Sequence, residues 1–173
     1  GLELTGRVAI VTGASRGIGR AVVERLAGQG VKVVLNYLRD RMAAAEVLAL
    51  ARAAGVEAIA VQANVADLRE ATKVVDAAID RFKQIDILVC NAGIWEGAPV
   101  DIMSEEVWDR TIDVNLKGSW AVCRAAVPHL KNQRFGRIVM VSSTAGQRGE
   151  ANYSNYAASK GGQISLTKAL ATE

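Results

Sequence analysis

The chain of 173 residues has one histidine, two cysteines and no long apolar run, and each shortage excludes a kind of protein. His129 stands beside Pro128 near the end of an expected helix and reads as structural or exposed; with no other histidine, a Ser-His-Asp hydrolase lacks its base. Cys90 and Cys123 lie far apart, with no CxxC pair and no clustered histidines. That argues against a disulfide framework or a zinc site and leaves two core thiols in a reducing compartment, with no metal expected. No apolar segment reaches the eighteen or so residues of a membrane span. "GLELTGRVAIVTG" shows no basic leader or small-residue cleavage site, so the expectation is a cytoplasmic protein with no membrane partner. Charge of one sign is also scarce: 21 Lys+Arg against 18 Asp+Glu give +3, and the basic residues are scattered. This pattern describes a solvated surface rather than a nucleic-acid patch. Repeats, low-complexity tracts and linkers are absent.

Half of the residues are apolar and the length suits one domain with a substantial core. Short β-branched runs at 7–13, 31–37, 56–62, 85–93 and 136–143 alternate with helix candidates at 17–28, 40–53, 66–82 and 104–131, and a last helix begins near Tyr153. The runs are almost continuously apolar, as in strands covered on both faces, so the series predicts a parallel α/β sheet. Asp67 and Ser104 are expected near N-caps, Gly30 and Gly55 at helix ends, and Pro128 at a stop or kink of the fourth helix. The segment 94–103, "IWEGAPVDIM", is the most loop-like stretch.

"TGASRGIG", Thr12 to Gly19, joins the first strand to the first helix. Gly13 permits a tight turn, Gly17 a close backbone approach and Gly19 close helix–sheet packing, while the free N–H groups at the helix start suit a pyrophosphate. The spacing GxxxGxG differs from the dinucleotide fingerprint GxGxxG. Where an acidic residue would select NAD, the second strand ends "LNYLRD". Asn36 is neutral, and Arg39 with Arg16 of the turn favours a 2′-phosphate and hence NADP, although Asp40 is near enough to neutralise Arg39.

Tyr156 and Lys160 stand four residues apart, one above the other on a helix. An ammonium near a phenol stabilises the phenolate, which makes Tyr156 a candidate acid/base for a carbonyl or alcohol oxygen. Ser142 and Ser143 follow the fifth strand, at the edge where open α/β sheets bind ligands, and a serine hydroxyl there suits the same oxygen. Tyr153 remains as a wall of the substrate site.

Together "TGASRGIG" (12–19), "NAG" (91–93), "VNLKG" (114–118), "VSSTAG" (141–146) and "YAASK" (156–160) resemble, in order, the short-chain dehydrogenase/reductase family from about Gly6 onward, and most closely its 3-oxoacyl-acyl-carrier-protein reductase-like branch. The resemblance implies an NAD(P)-binding, Rossmann-type doubly wound sheet of order 3-2-1-4-5 over residues 1–173, lacking the family's final strands and substrate loop. It implies that Tyr156 donates the proton, Lys160 activates it and holds the nicotinamide ribose, Ser143 polarises the carbonyl and Asn115 holds a relay water. Gly13, Ser15, Arg16, Gly17, Ile18 and Gly19, with Asn36 and Arg39, would meet the phosphates and ribose. Asn64 and Val65 would meet adenine, and Asn91, Ala92 and Gly93 would lie along the cofactor. Two positions depart from the family pattern: Asn64 stands where many relatives have aspartate, and Cys90 replaces the first asparagine of "NNAG". The implied activity is NADPH-dependent reduction of a ketone, plausibly a 3-oxoacyl thioester on acyl carrier protein in fatty acid synthesis, by a homotetramer or homodimer. The alternatives are an NAD-linked alcohol or sugar dehydrogenase and a truncated, non-catalytic nucleotide-binding module.

Overall fold

A computed structural model describes residues 3–173. Strands β1 (Val8–Val11), β2 (Lys32–Tyr37), β3 (Ala58–Gln62), β4 (Ile87–Cys90) and β5 (Arg137–Met140) form one sheet in the order β3-β2-β1-β4-β5. All four pairings are parallel. Around them lie α1 (Gly17–Ala27), α2 (Arg41–Ala53), α3 (Leu68–Phe82), α4 (Glu105–Ile112), α5 (Gly118–Gln133), α6 (Ala145–Arg148) and α7 (Ser154–Leu170). Alternate strand residues serve opposite faces. Val11, Val33 and Leu35 pack with Val23 of α1 and Val47 of α2. Ile10, Val34 and Leu88 pack with Val74 of α3 and Val122 of α5. This is the doubly wound Rossmann-type sheet that the alternating pattern predicts. No helix among the described residues is long and apolar enough to cross a membrane.

Several boundaries follow from local chemistry. The Asp67 carboxylate accepts from the N–H groups of Arg69 and Glu70, and the Ser104 hydroxyl accepts from Val107, so both are N-caps. Gly30 and Gly55, just beyond the ends of α1 and α2, take positive φ of 79° and 85°.

Three expectations are corrected. The helix expected over 104–131 is divided by a π-helical turn, Asp113–Lys117, between α4 and α5. Pro128 does not stop α5, which runs on to Gln133. Its missing N–H frees only the carbonyl four residues back, and both Pro128 and Arg124 face solvent, so water can replace that bond. Beyond it, Leu130 joins the core, and the Gln133 side chain accepts from Ile85 N at 3.1 Å and donates to Ile85 O at 2.6 Å, which anchors the last turn. Finally, β1, β4 and β5 end earlier than their apolar runs, and the residues left over form loops along one edge of the sheet.

Candidate active site

Those loops leave the C-terminal ends of the strands, where the order reverses between β1 and β4; open α/β sheets bind ligands at such a point. Gly13 and Gly17 have positive φ, 60° and 56°. A Cβ on Gly13 would lie 2.8 Å from Ala92 Cα, and one on Gly19 would lie 2.5 Å from both Asn91 Nδ2 and Gly13 O. Around Gly17 a Cβ would meet nothing within 4 Å, so the turn is closed on the sheet side and open outward. Arg16, the N-cap of α1, gives no side-chain cap, and the first turn holds no acid. The orphan N–H groups there, with the positive end of the helix dipole, can hold a diphosphate. Ser15 is half-buried and Ile18 exposed on this turn.

The residues after the other strands brace this cradle. Thr12 Oγ1 accepts from the N–H groups of Asn91 and Ala92, each at 3.0 Å, and Asn91 Nδ2 donates to Thr12 O and Gly13 O, each at 3.0 Å. Asn36 is placed beneath the turn rather than on its open side. It is buried, with Oδ1 accepting from Gly13 N at 3.3 Å and Nδ2 donating to Ala63 O at 3.0 Å. Its amide is therefore committed to holding the turn against β2 and β3. Arg16 and Arg39 are exposed, and neither lies in an ion pair among the described residues. The Asp40 carboxylate, near Arg39 in sequence, instead caps α2 by accepting from Ala43 N at 2.9 Å. After β3, Asn64 Oδ1 accepts from Ala66 N at 3.1 Å in a half-buried turn, and Val65 is buried against the open α-carbon face of Gly118.

Tyr156 and Lys160 both lie on α7, and the Lys160 Nζ is 5.7 Å from the centre of the Tyr156 ring. Nζ donates to Val141 O at 2.7 Å, and Ser142 Oγ donates to Lys160 O at 2.8 Å, so the end of β5 grips the lysine at both ends. Ser143 Oγ accepts from Ala145 N at 3.2 Å, which leaves its own proton free to donate elsewhere. Asn115, in the π-helical turn, is buried; Oδ1 accepts from Ile94 N at 2.8 Å and Nδ2 donates to Ile94 O at 3.0 Å and Ser159 Oγ at 3.1 Å. Gly93 closes the circle, since a Cβ there would lie 3.2 Å from Asn115 Oδ1 and 3.5 Å from Lys160 Nζ.

Burial lowers the Lys160 ammonium below the ordinary lysine value. At pH below its folded value the amine is charged in folded and unfolded chains alike, and the fold carries the whole cost of burying it. Between the folded and unfolded values the unfolded chain binds more protons, so stability rises with pH across that alkaline window. Lys160→Met is therefore expected to flatten the alkaline rise in urea midpoint; a rise of the same slope in both proteins would refute the assignment.

Some neighbours are invisible in the sequence pattern. Gln163 is fully buried, and its Nε2 donates to Asn115 O at 2.9 Å and Ser119 Oγ at 2.8 Å. Gly146 lets α6 touch α7: a Cβ there would lie 2.6 Å from both Gly161 N and Lys160 C. Cys90 and Cys123, far apart in sequence, meet with sulfurs 3.8 Å apart; their hydrogen bond and burial hold the Cys90 thiol well above the ordinary range. The one recognisable signal was Gln163 itself, a polar residue on the face of α7 that carries Tyr156 and Lys160.

Comparison with known proteins agrees with this arrangement. The family described as short chain dehydrogenase matches residues 7–173. A 3-oxoacyl-[acyl-carrier-protein] reductase of Synechocystis is 45% identical over 170 residues, covering 98% of this chain and 69% of the relative. One from Staphylococcus aureus is 42% identical over 165 residues, covering 95% of this chain and 67% of the relative. The crystal structure of an NAD+-bound xylitol dehydrogenase superposes with a TM-score of 0.94 at 34% identity, covering 98% of this chain and 65% of that one. The chain thus spans about two thirds of the length of these proteins. The glycine cradle, the Asn91–Gly93 segment and the Tyr156–Lys160 helix fall within the matched stretch, and the chain belongs to the short chain dehydrogenase family of oxidoreductases.

Proposed function

We propose that this chain carries the catalytic half of an NADPH-dependent reductase that converts a ketone to a secondary alcohol. The substrate its relatives favour is a 3-oxoacyl thioester carried on acyl carrier protein, as in fatty acid synthesis. The observation that supports this most is the placing of Lys160 Nζ between Val141 O, Gly93 and the Tyr156 ring. NADPH, when bound, supplies the hydride. The α1 N-terminus with Gly13, Ser15, Gly17, Ile18 and Gly19 holds its diphosphate, and Asn64 and Val65 meet the adenine. Asn91, Ala92 and Gly93 line the path to the nicotinamide, with Asn36 acting from beneath through Gly13. Tyr156 gives its phenolic proton to the substrate oxygen, Ser143 donates a hydrogen bond to that oxygen, and Lys160 orients the ribose and favours the phenolate left behind. Asn115, fixed by Ile94 and Ser159, places the water that returns a proton toward Lys160. We take the protein to be cytoplasmic and assembled as a homotetramer or homodimer through α5 and α7.

The preference for NADPH rests on Arg16 and Arg39, both exposed and without a carboxylate partner among the described residues. Two guanidinium groups at the ribose favour a phosphate over a hydroxyl. The structural likeness to the NAD+-bound xylitol dehydrogenase supports the rival reading, an NAD-linked dehydrogenase. Oxidation of NADPH and of NADH with a 3-oxoacyl thioester decides between them. The NADPH kcat/KM should be higher in the wild type and should fall at least about tenfold in Arg39→Ala, as expected for a lost charge-assisted hydrogen bond, while the NADH value stays within a few-fold. An equal loss with both cofactors would remove the 2′-phosphate assignment, and no oxidation of either would remove the reductase reading.

A further inference from the structure

Two aromatic rings border the site and play no part in the steps above. Trp95 and Tyr153 are stacked, with ring centres 4.7 Å and planes 7° apart. The backbone on either side of Trp95 is clamped by buried asparagines. Asn115 exchanges two hydrogen bonds with Ile94, and Asn155 Nδ2 donates to Glu96 O at 3.0 Å and to Thr111 Oγ1 at 2.8 Å. The Glu96 carboxylate is also gripped by Arg110 at 2.6 Å. Tyr153 is fixed from the other side, because a Cβ on Gly97 would lie 2.7 Å from its Cε1 and closer still to Asn152 O. Yet Trp95 is 62% exposed. A large apolar ring has been made rigid and left bare.

The position gives this exposure a use. Trp95 is two residues beyond Gly93, which abuts Lys160 Nζ, and Tyr153 is one helical turn before Tyr156. The bare indole therefore borders the groups that handle the carbonyl. A ring that is already ordered loses little entropy when a ligand covers it, and aromatic faces pair best in offset stacks. The ring of an aryl ketone is made electron-poor by conjugation with its carbonyl and so complements an electron-rich indole. Flexible acyl chains lose rotamer freedom on the same surface, and saturated rings lack the matching π-face.

We infer that the site also reduces ketones fused to a flat aromatic ring, with the Trp95–Tyr153 stack as the wall that selects the ring. The inference rests on the ketone-reductase reading. The balance is the same: the carbonyl carbon gains a hydride from NADPH, the oxygen gains the proton of Tyr156, and the products are a benzylic alcohol and NADP+.

The test compares 1-tetralone with the saturated 1-decalone, similar in size and differing in the aromatic ring. In the wild type, kcat/KM for 1-tetralone should exceed that for 1-decalone by about tenfold or more, the gain expected from one stacked ring. The ratio should fall close to one in Trp95→Leu and in Tyr153→Leu and persist in Tyr153→Phe, which keeps the stack; because it is a ratio, partial loss of folded enzyme cancels. Equal ratios in the wild type and the leucine variants would overturn the inference. A binding readout separates it from the parent reading: Trp108→Phe/Trp120→Phe leaves Trp95 as the sole indole, and its emission should be quenched saturably by 1-tetralone. Saturable quenching without turnover of any ketone would sink the reductase reading and keep the ring wall. Thioester turnover with unsaturable quenching and a flat ratio would sink the wall alone.

Discussion

Replacing Tyr156 by phenylalanine is expected to lower kcat for ketone reduction by about a thousandfold, the range of a lost general acid. The change removes one oxygen atom and leaves the ring that lies 5.7 Å from Lys160 Nζ, so the helix and the lysine keep their packing. Nucleotide affinity, read from the change in NADPH fluorescence, should therefore be nearly unchanged, and the urea midpoint should not fall. The contrast between lost turnover and kept binding is the informative part. Undiminished turnover in Tyr156→Phe would show that another group supplies the proton, and the mechanism would fail. Ser142→Ala is a different experiment, since that hydroxyl already donates to Lys160 O; it should reduce both stability and rate, whereas Ser143→Ala should reduce the rate alone.

The second large effect is expected at Gly19. A methyl group there would stand 2.5 Å from Asn91 Nδ2 and Gly13 O and 2.9 Å from Ala14 Cα. These are backbone atoms and a doubly bonded amide, so none can yield cheaply. Gly19→Ala must push α1 from the turn or break the Asn91 bond to Gly13 O, and overpacking of this kind costs about 1–3 kcal/mol. NADPH binding should weaken by at least about tenfold, because the cradle's N–H groups no longer converge. Gly17→Ala is the comparison: it meets nothing within 4 Å, and its strain comes only from its φ of 56°, about 1–2 kcal/mol. Both quantities are read by urea unfolding and nucleotide titration. A Gly19→Ala protein with the parent midpoint and affinity would mean that the turn is not the nucleotide cradle.

Much of this site was legible in one dimension because its pieces are local. Gly13, Gly17 and Gly19 answer to backbone geometry within one turn, Asp67 and Ser104 to N–H groups two or three residues ahead, and Tyr156 with Lys160 to helical pitch. Asn36 was misplaced because the alternation of a strand does not say which end residue is covered by the preceding turn. Arg39 and Asp40 illustrate the same limit: adjacency suggested that they neutralise each other, but the orphan N–H of Ala43 takes the carboxylate. A local donor of fixed geometry outcompetes an exposed guanidinium, whose attraction water screens.

The sequence by itself determined the alternation of strands and helices, the parallel sheet and the order in which glycine turn, Asn91–Gly93, Asn115, Ser143 and Tyr156–Lys160 arrive, since those depend on periodicity and on chemistry within a few residues. Only the tertiary structure decided that Gln163 would reach Asn115, that Cys90 would meet Cys123, that Pro128 would ride inside a helix and that Trp95 would stack on Tyr153. Each of these joins segments separated by other elements. Their partners are chosen by packing: burying a polar group demands whichever partner the fold brings within reach, and an apolar ring settles on the flat surface offered to it.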